Sequence, residues 1–205
     1  MHLALDTPRL RLRPVTLADA PAIQAQFGQW EILKYFPRKI PWPYPDGAAL
    51  SYLEQTVLPE MQKGVRYSWA ITLRRDPAQA LIGLIELTFA TPYDQRAFWL
   101  GQSWQGLGLM TEACFAVNDF ALPGLGMPDL LFTSADANTA SNRLKEQSGA
   151  VPIEHGLYDF HAGRLPITRW QLTDSAWAKA RSAVWRSLAR WNPDDFTITN
   201  QPVSS

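Results

Sequence analysis

The apolar run LIGLIELTF at residues 81–89 constrains the fold of this chain more than any other segment. It has the length of a β-strand, and apolar side chains at almost every position indicate that both faces of the strand are covered. Such a strand lies in the interior of a sheet, between layers of other elements. The run therefore predicts a central strand with helices packed around it.

The remaining pattern predicts one α+β domain around a single sheet. Residues 10–13, LRLR, alternate strictly and predict a half-buried strand that ends at Pro14. Further strands are predicted at residues 66–73, 96–100, 130–134, 153–160 and 166–172. Helices are predicted at residues 16–27, 48–63, 109–122 and 175–191, with a shorter one between Asn138 and Gly149. We expect the domain to span residues 1–192 and residues 193–205 to form a flexible tail.

Charge and cysteine content narrow the expected partners. Acidic and basic side chains number 19 each, so the chain carries no net field that would attract nucleic acid or anionic lipid. The single cysteine, Cys114, excludes an internal disulfide and a cysteine-based zinc site, and no metal is expected. No signal peptide and no run of about 20 apolar residues is apparent. We therefore expect a cytoplasmic protein with no membrane partner.

The segment WQGLGLMTEA at residues 104–113 places two glycines between a predicted strand and a predicted helix. Glycines here let consecutive backbone N–H groups point at a ligand, and the helix N-terminus adds partial positive charge. This combination favours a phosphate or pyrophosphate site. An ordinary tight turn fits the same residues. The dinucleotide fingerprint fails because position 111 is Thr111, and no nucleotide P-loop motif follows.

The segment NTAS at residues 138–141 forms a second strand-to-helix connection with polar residues. Its Asn and Ser side chains suit N-caps, and they also suit contacts with a ligand that lies between two strand ends. Two such connections at one edge of a sheet predict a site for a long molecule with a phosphate at one end.

Together, WQGLGLMTEA and NTASNRLKEQSG resemble the GNAT superfamily of N-acetyltransferases, in particular its ribosomal-protein N-terminal alanine and serine acetyltransferases. In the superfamily signature Gln/Arg-x-x-Gly-x-Gly/Ala, the matching residues are Gln105, Gly108 and Met110, of which Met110 departs. The segments TPRLRLRP and LTDSAW resemble the opening strand and the close of this branch, so the resemblance spans residues 7–177.

The resemblance implies a mixed, curved sheet with a V-shaped splay between its fourth and fifth strands, where acetyl-CoA lies as co-substrate. Backbone groups of Phe98, Trp99 and Leu100 would pair with the pantetheine. The pyrophosphate would be held by the amides of Gln105, Gly106, Leu107, Gly108, Leu109, Met110 and Thr111. Asn138 would contact the pantetheine arm, and Asn142 and Arg143 are candidates for outer contacts with CoA.

Direct acetyl transfer to an amine requires a base, an oxyanion stabiliser and an acid for the leaving thiolate. By resemblance, Ser141 is the candidate acid and Tyr158 the second choice, although Ser141 also suits an N-cap. Glu86 is the candidate base because it is the only charge in LIGLIELTF, and partial burial would raise its pKa. A structural pair between Glu86 and an arginine, with water as the proton carrier, remains the alternative.

The predicted function is N-acetylation of a primary amine, with a protein N-terminal amino group favoured by resemblance alone. The alternatives are acetylation of a small-molecule amine and a non-catalytic module that binds acyl-CoA. The aromatic, proline-rich loop at residues 36–44 would form one wall of the acceptor cleft. The last helix, with Trp177, Trp185 and Trp191, docks on the domain or forms a homodimer contact.

Overall fold

The fold is described from a computed structural model, which describes residues 3–187 and 197–200. The strands are β1 Leu3–Asp6, β2 Leu10–Pro14, β3 Arg66–Leu73, β4 Leu81–Thr88, β5 Arg96–Leu100, β6 Asp129–Ala135, β7 Val151–Phe160, β8 Gly163–Thr173 and β9 Thr197–Asn200. The helices are α1 Ala20–Phe27, α2 Trp30–Leu33, α3 Ala48–Tyr52, α4 Leu58–Gln62, α5 Leu109–Asp119, α6 Thr139–Gln147 and α7 Asp174–Ser187. No helix within the described ranges is long and apolar enough to cross a membrane.

The strands form two sheets. The larger has the order β5-β4-β3-β2-β1-β9, the smaller has the order β6-β8-β7, and every pair within them is antiparallel. All eight residues of β4 are buried, as expected for the run LIGLIELTF. The prediction of an α+β domain with a sheet flanked by helices is confirmed, whereas the single mixed sheet that was expected is replaced by two antiparallel sheets.

The two sheets meet between β5 and β6 and then separate. Gln95 N–H donates to the Leu131 carbonyl at 2.9 Å, and Leu131 N–H donates to Gln95 Oε1 at 2.8 Å. Beyond this junction β5 and β6 belong to different sheets. These are the fourth and fifth strands of the sequence prediction, and they become fifth and sixth because Leu3–Asp6 is an additional strand. The predicted splay is therefore at the expected place in the chain.

Two apolar clusters cover the larger sheet. One contains α5 side chains such as Phe115 and the fully buried Trp177 of α7. The other contains Ile23 and Phe27 of α1 with Trp99 of β5. The central sheet thus has helices on both faces, as its apolar strands require.

Two longer predicted helices are interrupted near prolines. Residues 48–63 divide into α3, a π-helical turn at Leu53–Val57 and α4, which contains Pro59. A second π-helical turn, Phe120–Gly124, contains Pro123 and follows α5. Proline cannot donate to the preceding turn, and a wider turn accommodates its ring.

The C-terminal part differs from the expected tail. Within residues 193–205, Thr197–Asn200 forms β9 and pairs with β1, with Leu3 opposite Asn200. The sequence TIT has the β-branched alternation of a strand, which explains this pairing. The last helix is observed over Asp174–Ser187, whereas the Trp185 side chain and residues 188–191 of the prediction lie outside what the structure describes.

Candidate functional site

The loop after β5 is a strand-to-helix connection with two left-handed glycines. Gly106 has φ 76° and Gly108 has φ 73°, a region that residues with a Cβ adopt at a cost. A Cβ at Gly106 would meet nothing within 4 Å. The requirement for glycine at this position therefore comes from backbone conformation and not from crowding by other residues.

The N-terminus of α5 presents backbone donors beyond the end of β5. Gly108 is its N-cap and supplies no side-chain cap, and Glu112 N–H makes the first bond into the helix, to the Gly108 carbonyl at 3.1 Å. The preceding amides, of Leu109, Met110 and Thr111, have no carbonyl of their own helix to bond. With the helix dipole, these donors form an anion site of the kind that binds phosphate groups.

Gln105 stabilises this loop through two hydrogen bonds. Its Nε2 donates to the Leu100 carbonyl at 2.9 Å, and its N–H donates to the Gln102 carbonyl at 3.2 Å. The predicted role was an amide donor to the pyrophosphate. In the structure these two bonds hold the end of β5 against the glycine turn, and the contact with a pyrophosphate stays a prediction.

The open edge of β5 exposes alternate backbone groups. Thr88 N–H bonds the Gln95 carbonyl and Gly101 N–H bonds the Ile82 carbonyl, and the register places Trp99 opposite Leu84. Strand alternation then directs the backbone groups of Trp99 toward β4 and those of Phe98 and Leu100 toward the splay. The predicted backbone contact of Trp99 with pantetheine is therefore incorrect, because the ladder uses its N–H and C=O.

Hydrogen bonds to Glu112 and to the Leu107 carbonyl connect the β1–β2 turn with the glycine loop. This buried carboxylate accepts from Thr7 Oγ1 at 2.7 Å, Arg9 N–H at 3.0 Å and Arg9 Nε at 2.6 Å. Arg9 Nη1 also donates to the Leu107 carbonyl at 2.9 Å. Glu112 lies in the first turn of α5, where a carboxylate complements the helix dipole, and it also links the segment TPRLRLRP to the loop.

The second connection, between β6 and α6, is held by its own amide side chains. Asn138 Oδ1 accepts from Ser141 N–H at 3.2 Å and caps α6. Asn142 accepts from Ser134 Oγ at 2.5 Å and donates to the Ala135 carbonyl at 3.2 Å. These bonds give Asn138 and Asn142 structural roles in the loop, whereas the exposed Arg143 is accessible at the surface.

Ser141 lies against a buried lysine that the sequence prediction missed. Lys145 Nζ donates to Ser141 Oγ at 2.7 Å. Lys145 is 2 % exposed and Ser141 is 9 % exposed. Burial, reinforced by the positive charge of Arg96, lowers the pKa of Lys145 to about 7. Lys145 follows Ser141 by one helical turn in the sequence, and this spacing, which places the two side chains on one side of α6, is the signal that could have found it.

Glu86 is part of an ion-paired cluster on β4. Its Oε2 accepts from Arg66 Nη1 at 2.9 Å and Tyr52 OH at 3.2 Å, and its Oε1 accepts from Ser68 Oγ at 2.9 Å. Burial and the charge of Glu86 raise the pKa of Tyr52, so its hydroxyl remains a donor. The alternative of a glutamate paired with an arginine therefore describes the observed contacts.

Tyr158 is 43 % exposed on the edge strand β7. It lines a surface depression with residues of the proline-rich loop, which is joined to β7 through a bridge between Pro37 and Phe160. Basic side chains Arg38 and Lys39 line the same depression. Within the described ranges, Tyr158 and Ser141 form no hydrogen bond with each other.

No cluster of three or more His, Cys, Asp or Glu residues suited to a metal ion occurs among residues 3–187 and 197–200.

Comparisons with known proteins agree with this geometry. The family described as acetyltransferase (GNAT) domain matches residues 9–151, more than half of the chain. No curated protein matches the chain significantly.

Solved structures share the fold. A ribosomal-protein-S5-alanine acetyltransferase from Vibrio fischeri is similar with TM-score 0.70 and 13 % identity, over 85 % of this chain and 98 % of that one. A spermidine N-acetyltransferase from Vibrio cholerae, in complex with CoA and spermine, has TM-score 0.68 and 18 % identity, over 84 % and 99 %. The ribosomal L7/L12 alpha-N-protein acetyltransferase RimL, in complex with coenzyme A, has TM-score 0.66 and 17 % identity, over 83 % and 97 %.

The family match covers β2 to the start of β7 and includes the glycine loop, the splay and the Ser141 connection. Its activity, acetyl transfer, fits an anion site at a helix N-terminus beside an open strand edge. The chain therefore belongs to the GNAT family and is an N-acetyltransferase.

Proposed function

We propose that this chain transfers the acetyl group of acetyl-CoA to a protein N-terminal amino group. The proposed binding of acetyl-CoA rests on the loop of Gly106 and Gly108. The amides of this loop and the N-terminus of α5 that follows it suit a pyrophosphate. The open edge of β5 beside it offers Phe98 and Leu100 N–H groups to the amides of a pantetheine chain. The cytoplasm remains the proposed location.

The choice of acceptor rests on charge and on resemblance. The depression beside Tyr158 is lined by Arg38 and Lys39, against one acid, Asp159. If the acceptor enters here, two basic side chains repel a polyamine, which carries several positive charges. A peptide N-terminus has one amino group and backbone groups that a strand edge such as β7 can bind. Similar structures include both ribosomal-protein and spermidine acetyltransferases, so the basic lining of the depression carries this choice.

The proposed chemistry assigns different roles to Ser141 and Glu86. Ser141 Oγ–H protonates the thiolate as it leaves. Glu86 is buried and accepts bonds from Tyr52, Arg66 and Ser68, which leaves little of its carboxylate open to an amine. We therefore assign removal of the amine proton to water, with Glu86 and its partners organising that side of β4.

The first experiment is calorimetric titration of acetyl-CoA and CoA into wild type and Gly106→Ala. Alanine at φ 76° costs roughly 1–2 kcal/mol and shifts the loop amides, so we expect weaker binding by about tenfold. Gly64→Ala is the matched control, because Gly64 has φ 72° and equally open space far along the chain from the loop. Equal affinity of all three proteins for CoA would contradict the proposed pyrophosphate site in this loop.

The second experiment tests the acceptor by release of the CoA thiol. Peptides that begin with alanine or serine should be turned over, and the same peptides with a blocked N-terminus should not. Turnover of spermidine but not of peptides would identify a small-molecule enzyme. CoA binding without turnover of any amine would indicate a non-catalytic module.

A further inference from the structure

A hydroxyl that protonates a thiolate needs its own proton supply, and Lys145 is placed to provide it. Lys145 Nζ donates to Ser141 Oγ at 2.7 Å, and its second contact is the Ser141 carbonyl at 3.5 Å. Both residues lie one turn apart on the buried side of α6. The ammonium therefore fixes the serine oxygen as an acceptor and leaves its O–H to point elsewhere.

The surroundings of Lys145 are positively charged and apolar. Three ionisable groups act electrostatically on Lys145: Arg96 of β5, the Cys114 thiol of α5, and Asp94, which precedes β5. Within the described residues, Lys145 and Arg96 form no ion pair with a carboxylate. Two buried cations that have no anionic partner each destabilise the charged form of the other. An anion that binds between them is therefore stabilised.

Arg96 extends this positive region to the junction of the sheets. It is 5 % exposed, donates from Nη1 to Asn118 Oδ1, and has its guanidinium carbon 4.3 Å from the Phe132 ring centre on β6. Its Nε and Nη2 have no hydrogen-bond partner among the described residues. Positive charge therefore lies where β5 and β6 diverge, beside the expected path of the pantetheine. A thiolate that forms there is stabilised electrostatically.

We propose that Lys145 is a positioning residue and second proton donor, which supplies through Ser141 the proton that the departing CoA sulfur takes up. This inference rests on the proposed function, in which Ser141 is the acid. As the bond between the acetyl carbon and sulfur breaks, the Ser141 O–H proton passes to sulfur and forms the CoA thiol. A proton from Lys145 Nζ replaces it on Ser141 Oγ, which leaves a neutral lysine amine. Water protonates that amine after CoA departs, and the proton lost by the acceptor amine enters the solvent.

The relay predicts a characteristic pH dependence. The protonated form of Lys145 is the active one, and its pKa of about 7 means that this form is depleted as pH rises above neutrality. With saturating acetyl-CoA and peptide, kcat for wild type should fall between pH 7 and pH 9, up to about tenfold per pH unit. Burial raises the pKa of the Cys114 thiol, which keeps the thiol protonated, whereas burial lowers the pKa of Arg96, so the Lys145 variants decide which cation the decrease in kcat reports.

The test compares Lys145→Met and Lys145→Gln with wild type. Methionine removes both the bond and the proton, whereas glutamine keeps an N–H donor for Ser141 but no transferable proton. We expect kcat at pH 6.5 to fall about 100-fold for methionine and less for glutamine, with KM for acetyl-CoA changed less than about threefold. Both variants should lose the alkaline decrease in kcat. The exposed Lys63→Met is the control and should keep the wild-type profile.

Several outcomes separate the proposals. Wild-type kcat and pH profile in both Lys145 variants, with activity lost in Ser141→Ala, would overturn the relay and leave the proposed function intact. Full activity in Ser141→Ala would overturn the relay and the serine acid together. Absence of acetyl transfer by wild type to every amine would overturn the proposed function, and the relay with it.

Discussion

Replacing Lys145 with methionine should stabilise the protein, and the gain should shrink as pH rises. Lys145 is 2 % exposed and forms no ion pair with a described residue, so its charge is costly in the folded state. Methionine has similar length and no charge, and it suits the apolar neighbours of α6. The Ser141 N–H keeps its bond to Asn138 in the variant, so the start of the helix is preserved.

The magnitude follows from proton linkage. The pKa of Lys145 falls from 10.5 in the unfolded chain to about 7 in the folded protein. The unfolded chain therefore binds more protons between these values, and wild-type stability from this group rises with pH across that window. Below about pH 7 both states are protonated and the penalty is constant, roughly 4–5 kcal/mol at about 1.4 kcal/mol per pKa unit. Between pH 7 and pH 9 about 2 kcal/mol of it should disappear.

Urea unfolding at pH 7, 8 and 9 measures this difference directly. We expect the free energy of unfolding of Lys145→Met to exceed that of wild type at pH 7, and the two values to approach each other by about 2 kcal/mol at pH 9. Lys63→Met controls for loss of an exposed lysine. A constant difference between the variant and wild type over this range would refute the argument that Lys145 is desolvated.

Three further predictions concern buried polar groups. Glu112→Ala should lower the free energy of unfolding by about 2–4 kcal/mol, because Arg9 loses its buried carboxylate partner. The variant should also bind CoA more weakly in calorimetry, because Arg9 holds the Leu107 carbonyl of the glycine loop. Unchanged CoA binding would exclude this positioning role. Asp119→Ala should lower the free energy of unfolding in urea by about 2 kcal/mol, because Trp177 Nε1 loses its acceptor at 2.8 Å. A decrease no larger than that for an alanine substitution at the surface would contradict this prediction. Cys114 is fully buried and burial raises its pKa, so iodoacetamide should label it only in urea; rapid labelling of the native protein would be the opposite result.

Local patterns in the sequence sufficed for the central strand and the glycine loop. Apolar side chains along residues 81–89 and two glycines before a helical repeat are signals contained within about a dozen residues. They predicted β4 and the start of α5 well, because each element's own residues decide its conformation.

The contacts that complete the site depend on distant parts of the chain. Thr7 and Arg9 reach Glu112 across more than a hundred residues, and only the folded sheet brings them together. The predicted role of Trp99 failed because the pairing partner of β5 decides which backbone groups remain free. Lys145 was missed because a single lysine in a short polar helix has the composition of a solvated surface.

The contact between the β1–β2 turn and Glu112 also has a consequence for the order of folding. Its sequence separations of 105 and 103 residues make it a late contact, since closing so long a loop is costly before the sheet exists. The glycine loop then gains its final geometry only when the N-terminal hairpin docks. Amide hydrogen exchange in the loop and in β1–β2 should therefore slow together during refolding, as one cooperative unit.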